Sequence, residues 1–177
     1  MSVRVTIAVV AGLLGMLFHA MPLEAGEPTA AGLWEQTDSK GHVGGWFLIF
    51  KRGDIYEGAL AKLFPKPGED PHPICTKCPG DQKDLPSLGL VMIKGMERNG
   101  FVYDKGTILD PRDGSIYKAT MVVSADGQSL TLRGYWGIPL LGKSQVWTRL
   151  PDDALPHDEI PANLLPFLPT KPVSLKK

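Results

Sequence analysis

Only two cysteines occur among the 177 residues, Cys75 and Cys78. No second pair exists to complete a structural zinc site. Net charge is also missing: 19 Lys and Arg balance 19 Asp and Glu. That excludes the basic footprint of a nucleic-acid-binding domain and long-range steering of a highly charged partner. No G-x-S-x-G elbow occurs, and no constellation for nucleophilic catalysis is visible. Histidine is scarce. His19 lies in the leader, and His42, His72 and His157 lie in polar or Pro-rich segments, unlike an oriented base. No amphipathic helix of useful length competes for the core.

What is present begins with a leader. Arg4 supplies a short positive region, and Val5 to Phe18 is almost wholly apolar. That run has the length of a signal-peptide core and is short for a membrane span. Ala25 offers a small residue for cleavage, so residues 1–25 read as a signal peptide. An uncleaved N-terminal anchor is the alternative. No Cys sits at the cleavage region, so a lipoprotein is not indicated. The expected location is periplasmic or secreted.

After a flexible lead at residues 26–31, the chain turns to strand and turn. Gly32-Leu33-Trp34 opens it. Trp46 to Phe50 and Ile55 to Leu63 flank Arg52-Gly53-Asp54 and read as a hairpin. Leu90 to Ile93 and Phe101 to Tyr103 flank Arg98-Asn99-Gly100, a strong hairpin signal because its central residues need positive φ. Met121 to Val123 and Leu130 to Leu132 flank Ala125-Asp126-Gly127. Thr107-Ile108 and Ile116-Tyr117 flank Asp110-Pro111-Arg112-Asp113-Gly114, a turn whose Asp side chains bond nearby amides. A last strand runs over 144–149. About eight strands in sequence order predict an all-β, antiparallel, up-and-down barrel at residues 32–150; a β-sandwich is the runner-up. Several strands carry apolar residues on both faces, so alternation does not pick out the inner one.

Two segments depart from this rhythm. Residues 64–88 form a long Pro-rich loop containing both cysteines, a length that is usually functional or disordered. Residues 151–177 form a Pro-rich tail in which Leu164, Leu165, Phe167 and Leu168 cluster. A disordered end is one reading; packing of the cluster against the barrel or across its mouth is the other, because apolar residues in a tail need cover.

Export favours pairing Cys75 with Cys78 as a structural disulfide. A redox pair and a zinc site with His72 are the other readings; haem attachment is excluded because Pro79, not His, follows the second cysteine. The turn Asp110 to Gly114 lacks the further ligands of a calcium loop. No metal or cofactor is expected. Trp46, Tyr56, Tyr103, Tyr117, Arg133, Tyr135 and Trp136 form a scattered set on strands. At a barrel mouth they would hold a small apolar or amphipathic ligand, with Arg133 meeting a carboxylate or phosphate head. Core packing is the alternative for the aromatics.

Gly106 to Tyr117, Leu132-Arg133-Gly134-Tyr135, Leu141-Gly142 and Trp147-Thr148-Arg149 together resemble the bacterial domain of unknown function 2147 family. So do Gly32-Leu33-Trp34 and the Cys75-Thr76-Lys77-Cys78-Pro79-Gly80 loop. The resemblance spans about residues 32–149 and implies a lipocalin-like (calycin) barrel in exported bacterial proteins. It also implies that Arg149 packs across Trp34 to close one end. The leading functional expectation is a non-enzymatic barrel that binds a small apolar or amphipathic molecule. An envelope interaction module, presenting the loop or tail to a protein partner, is the second. An enzyme using acids inside the barrel, a hydrolase or isomerase, is the third.

Overall fold

The computed structural model of the chain describes residues 26–168. Residues 1–25, expected as a signal peptide, and the end of the tail at 169–177 lie outside the described residues. Eight strands run in chain order: β1 (Gly32–Thr37), β2 (Val43–Arg52), β3 (Ile55–Leu63), β4 (Val91–Asn99), β5 (Val102–Asp110), β6 (Ser115–Val123), β7 (Ser129–Tyr135) and β8 (Lys143–Arg149). Each pairs antiparallel with the next, and β8 returns to β1 to close the barrel. Trp34 opposes Arg149 and Gln36 opposes Trp147 across that seam. Closure leaves no free sheet edge. The short runs around 101–108 and 116–123 are the two ends of single strands, β5 and β6, which is why ten apolar runs make eight strands.

The turns follow local chemistry. Gly53, Gly100 and Gly127 take positive φ where β2, β4 and β6 reverse. These three reversals and the start of β1 lie at one end of the barrel. The long loop, the Asp110 to Gly114 turn and the β7–β8 loop lie at the other, here called the mouth.

The barrel interior is a packed core. Trp34, Ile49, Tyr56, Ile93, Met96, Tyr103, Met121, Leu130 and Trp147 form one buried cluster. Phe47 stacks on Trp147 with ring centroids 4.6 Å apart, and Tyr56 meets Tyr103 edge-on at 4.8 Å. The alternate residues of β1 to β3 are apolar too, because a second layer covers them. Leu33, Leu48, Phe50, Ala59 and Ala61 pack against Leu155 and Leu164 of the tail. Phe167 stacks on Phe50 at 4.2 Å, and Lys62 pairs with Glu159 at 2.6 Å. Leu164, Phe167 and Leu168 of the tail's apolar cluster are therefore used on the barrel wall.

The long loop is pinned as well. Cys75 and Cys78 form a disulfide, with Cα atoms 5.4 Å apart. Both are buried among Leu60, Leu90, Met92 and Leu109. Bonding spends both thiolates, so a zinc site with His72 and a dithiol redox pair are not what the loop holds in this state. Within the loop Cys75 N–H donates to the Leu85 carbonyl at 2.8 Å and Asp84 N–H to the Cys75 carbonyl at 2.9 Å.

Candidate functional site

The barrel's closed end is built around one guanidinium. Arg149 lies over the Trp34 ring, 4.1 Å from its centroid. Its N–H groups donate to the backbone carbonyls of Thr29, Ala31 and Gly127. Burial lowers the guanidinium pKa, but Arg remains charged in any ordinary buffer. Trp34 Nε1 donates to the Ala30 carbonyl at 2.8 Å, and Ala30 N–H donates to the Tyr103 hydroxyl at 2.8 Å. Gly32 has φ +130°, and a Cβ there would lie 2.5 Å from Arg149 Nη1. The glycine of Gly32-Leu33-Trp34 is thus required so that the arginine can pass. These residues seal the barrel; none offers a free polar group to a ligand.

At the mouth, Asp110 to Gly114 forms a self-bonded turn. Asp110 Oδ1 accepts from Arg112 N–H at 3.0 Å and from Arg112 Nε at 2.8 Å. Asp113 Oδ1 accepts from Ser115 N–H at 2.9 Å. The hydrogen bond from Arg112 holds the Asp110 carboxyl below its ordinary pKa. Gly114 has φ +79°, and a Cβ there would come within 1.9 Å of the Lys77 carbonyl oxygen. Cys75 Sγ lies 3.5 Å from the Pro111 carbonyl oxygen. The disulfide loop therefore rests on this turn, and the two segments form one structural unit.

The seven aromatic and basic residues expected to line a mouth are spread over several places. Tyr56 and Tyr103 are core residues near the closed end. Trp46 lies on the wall beside the tail, where Nε1 donates to Glu35 Oε2 at 3.0 Å and the ring meets Phe64 at 5.3 Å. Tyr117 and Trp136 meet edge-on at the rim, with centroids 6.2 Å apart. Tyr135, partly buried, ends β7. Arg133 does not point at a ligand space. Its Nε donates to the Pro139 carbonyl at 2.8 Å, Nη1 to Ser144 Oγ at 2.8 Å and Nη2 to the Leu140 carbonyl at 3.2 Å. Nor does the buried set of the described residues contain a carboxylate. Acids working inside the barrel thus have no counterpart there.

Among the described residues, a crevice and a groove lie outside the barrel interior. The crevice, of about 10 Å³, lies between the tail and β1 to β3, flanked by Leu33, Leu48 and Leu155. The groove is open, with a volume of about 580 Å³. The disulfide loop supplies one side with Gln82, Leu85, Pro86 and Leu88. Strands β3 and β4 supply Glu57, Val91 and Lys94, and the tail supplies Asn163. Asn163 Nδ2 holds the Gly89 carbonyl at 2.9 Å, which joins tail to loop. Gln82 is buried; its amide donates to the Val91 carbonyl at 2.8 Å and accepts from Lys94 Nζ at 2.7 Å. Glu57 is already paired with Arg52 at 2.8 Å. Lys94, by contrast, meets an amide oxygen. The groove thus presents leucines, a proline and the Lys94 ammonium, with the paired Arg52 and Glu57 and the exposed Asp81 carboxylate also on its lining. Sequence reading flagged the long loop but missed Lys94, because a lone lysine on a strand carries no spacing signal.

A solved structure shares this architecture. Protein HP1028 from Helicobacter pylori, described as belonging to the lipocalin family, aligns at a TM-score of 0.60 and 15% identity. The alignment covers 71% of this chain and 86% of that one. At that identity the likeness concerns the fold, which is lipocalin-like. None of the curated proteins matches the chain. A family model matches residues 32–149, the whole barrel with the disulfide loop and the Arg112 turn. By that match the chain belongs to the bacterial family described as an uncharacterized protein conserved in bacteria (DUF2147).

Proposed function

We propose that this protein is an exported, non-enzymatic binding protein for a small amphipathic anion, and that the outer groove, not the barrel interior, holds the ligand. One observation carries this reading. The interior is filled by side chains, whereas a groove of about 580 Å³ places an ammonium group beside exposed leucines. Small-molecule sites commonly enclose roughly 300–1,000 Å³ and combine an apolar lining with a few placed polar groups. Lys94 would meet the carboxylate or phosphate head, and Leu85 and Leu88 the apolar part. The barrel acts as a rigid scaffold. The buried disulfide and the apolar leader support work in the periplasm or outside the cell.

Isothermal titration with decanoate, a ten-carbon carboxylate, tests the reading on the full chain. Binding is expected, and Lys94→Gln is expected to weaken it by about tenfold, since a hydrogen bond to a charged group contributes roughly 1.5–3 kcal/mol. Leu88→Asp should abolish it. Equal affinity in all three proteins, or no binding by the parent chain, would overturn the proposal. The rival reading is a protein partner held through the disulfide loop or the tail; of the tail's apolar cluster Leu164 is buried on the barrel, while Leu165, Phe167 and Leu168 are half-buried.

A further inference from the structure

The β7–β8 connection reads Trp136-Gly137-Ile138-Pro139-Leu140-Leu141-Gly142. Hairpin loops are ordinarily polar, because they run over the surface. Here the apolar side chains stand in solvent: Trp136 is 71% exposed, Ile138 56%, Leu140 82% and Leu141 75%. They are not loosely placed. Leu141 N–H donates to the Ile138 carbonyl at 3.2 Å and Gly142 N–H to the Pro139 carbonyl at 3.0 Å. Arg133 braces the same loop through the Pro139 and Leu140 carbonyls. The backbone is thus shaped to hold the leucines away from the barrel.

Cations surround the base of this tip. Strand pairing sets Lys118 opposite Tyr135, Lys143 opposite Gly134, and Arg133 opposite Ser144. None of the three forms an ion pair among the described residues, where eight such pairs occur. The acids of the neighbouring turn, Asp110 and Asp113, lie around Arg112. In a chain with no net charge, this is a local separation of an apolar point and a basic collar.

We propose that the β7–β8 loop docks the protein on an anionic lipid surface. Leu140, Leu141 and Ile138 enter the boundary between headgroups and acyl chains, and Trp136 sits at headgroup level, where its amphipathic ring is favoured. Lys118 and Lys143 face lipid phosphates, each basic group near such a surface contributing about 1 kcal/mol, while Arg133 braces the loop from behind. A lipid surface suits the tip better than a protein does. The four side chains expose on the order of 500 Å², below the ~800 Å² per partner of a stable protein interface. No helix of the described residues is long and apolar enough to cross a membrane. The tip is separate from the groove of Lys94, and neither proposal depends on the other.

The test is quenching of tryptophan emission by acyl-brominated lipids, using the full chain and phosphatidylglycerol-containing vesicles. Subtracting the signal of the Trp136→Phe variant isolates Trp136, so lipid binding by another part of the chain does not count as support. Trp136 is expected to lose most of its emission on anionic vesicles and little on phosphatidylcholine vesicles. Leu140→Asp with Leu141→Asp should raise the vesicle concentration at half-quenching at least about tenfold, given the cost of placing carboxylates in the interface. Lys143→Gln should raise it about fivefold. These positions are exposed, and an unchanged circular dichroism spectrum confirms folding. An unquenched Trp136 overturns the proposal, as does quenching that the double variant leaves unaltered. A Trp136 blue shift that grows with protein concentration without vesicles overturns it too, in favour of self-association.

Discussion

The two ends of the barrel solve opposite problems. At the closed end, polar groups are buried and each one is met: Arg149 serves three carbonyls, Trp34 donates to Ala30, and Tyr103 accepts from Ala30. At the mouth, apolar groups are exposed and held so by hydrogen bonds that Arg133 makes behind them. Each end uses an arginine on a late strand as its organiser. At one it seals the core, and at the other it presents a surface. An arginine that only braces backbone marks structure; the side chains it leaves in solvent mark contact.

The closed end should be the costlier one to break. Arg149→Ala strips three carbonyls and the Trp34 ring of their partner, and about 3 kcal/mol of stability should go, lowering Tm by roughly 6–12 °C. Arg149→Lys should recover little, since one ammonium cannot reproduce the planar fork. Thermal unfolding followed by circular dichroism decides the matter; a shift of less than about 2 °C would mean that the seal is ornamental.

The mouth should be more forgiving. Cys75→Ala with Cys78→Ala opens a loop of only a few residues, and loop-closure entropy grows with length. A loss of about 1–2 kcal/mol is expected, read from the urea midpoint. A collapse of folding would show that the disulfide loop, and not the Arg149 seal, holds the barrel closed.

The smallest effect belongs to the turn beneath that loop. The Arg112 hydrogen bond holds the Asp110 carboxyl below 3.8. A depressed folded pKa contributes stability above the unfolded carboxylate value and loses it as pH falls through the folded value. Asp110→Asn should therefore cost less than about 1 kcal/mol at neutral pH, since Arg112 is exposed, and nothing in strong acid. A carboxyl NMR titration should show Asp110 moving up toward 3.8 in Arg112→Ala. No movement would leave the turn to its backbone bonds alone.

Much of the barrel was legible because its turns are written in local chemistry. Asn99-Gly100 and Asp126-Gly127 predict reversals that the glycines make with φ near +60° to +71°. Trp34 and Arg149, recognised through a family resemblance, meet as that resemblance implied. The inner face was not legible. Leu48 and Ile49 are both apolar and both buried, one under the tail and one in the barrel. The role of Arg133 was not legible either, since its acceptors are carbonyls, which every residue carries. Nor was the groove, whose walls come from a loop, three strands and the tail.

By itself the sequence determined the reversals and the strand order, because positive φ and apolar alternation act over a few residues. The tertiary structure decided which face is inside, where the leucines are exposed and which cations form no ion pair among the described residues. Burial and pairing depend on what arrives from elsewhere in the chain, and no local pattern carries that information.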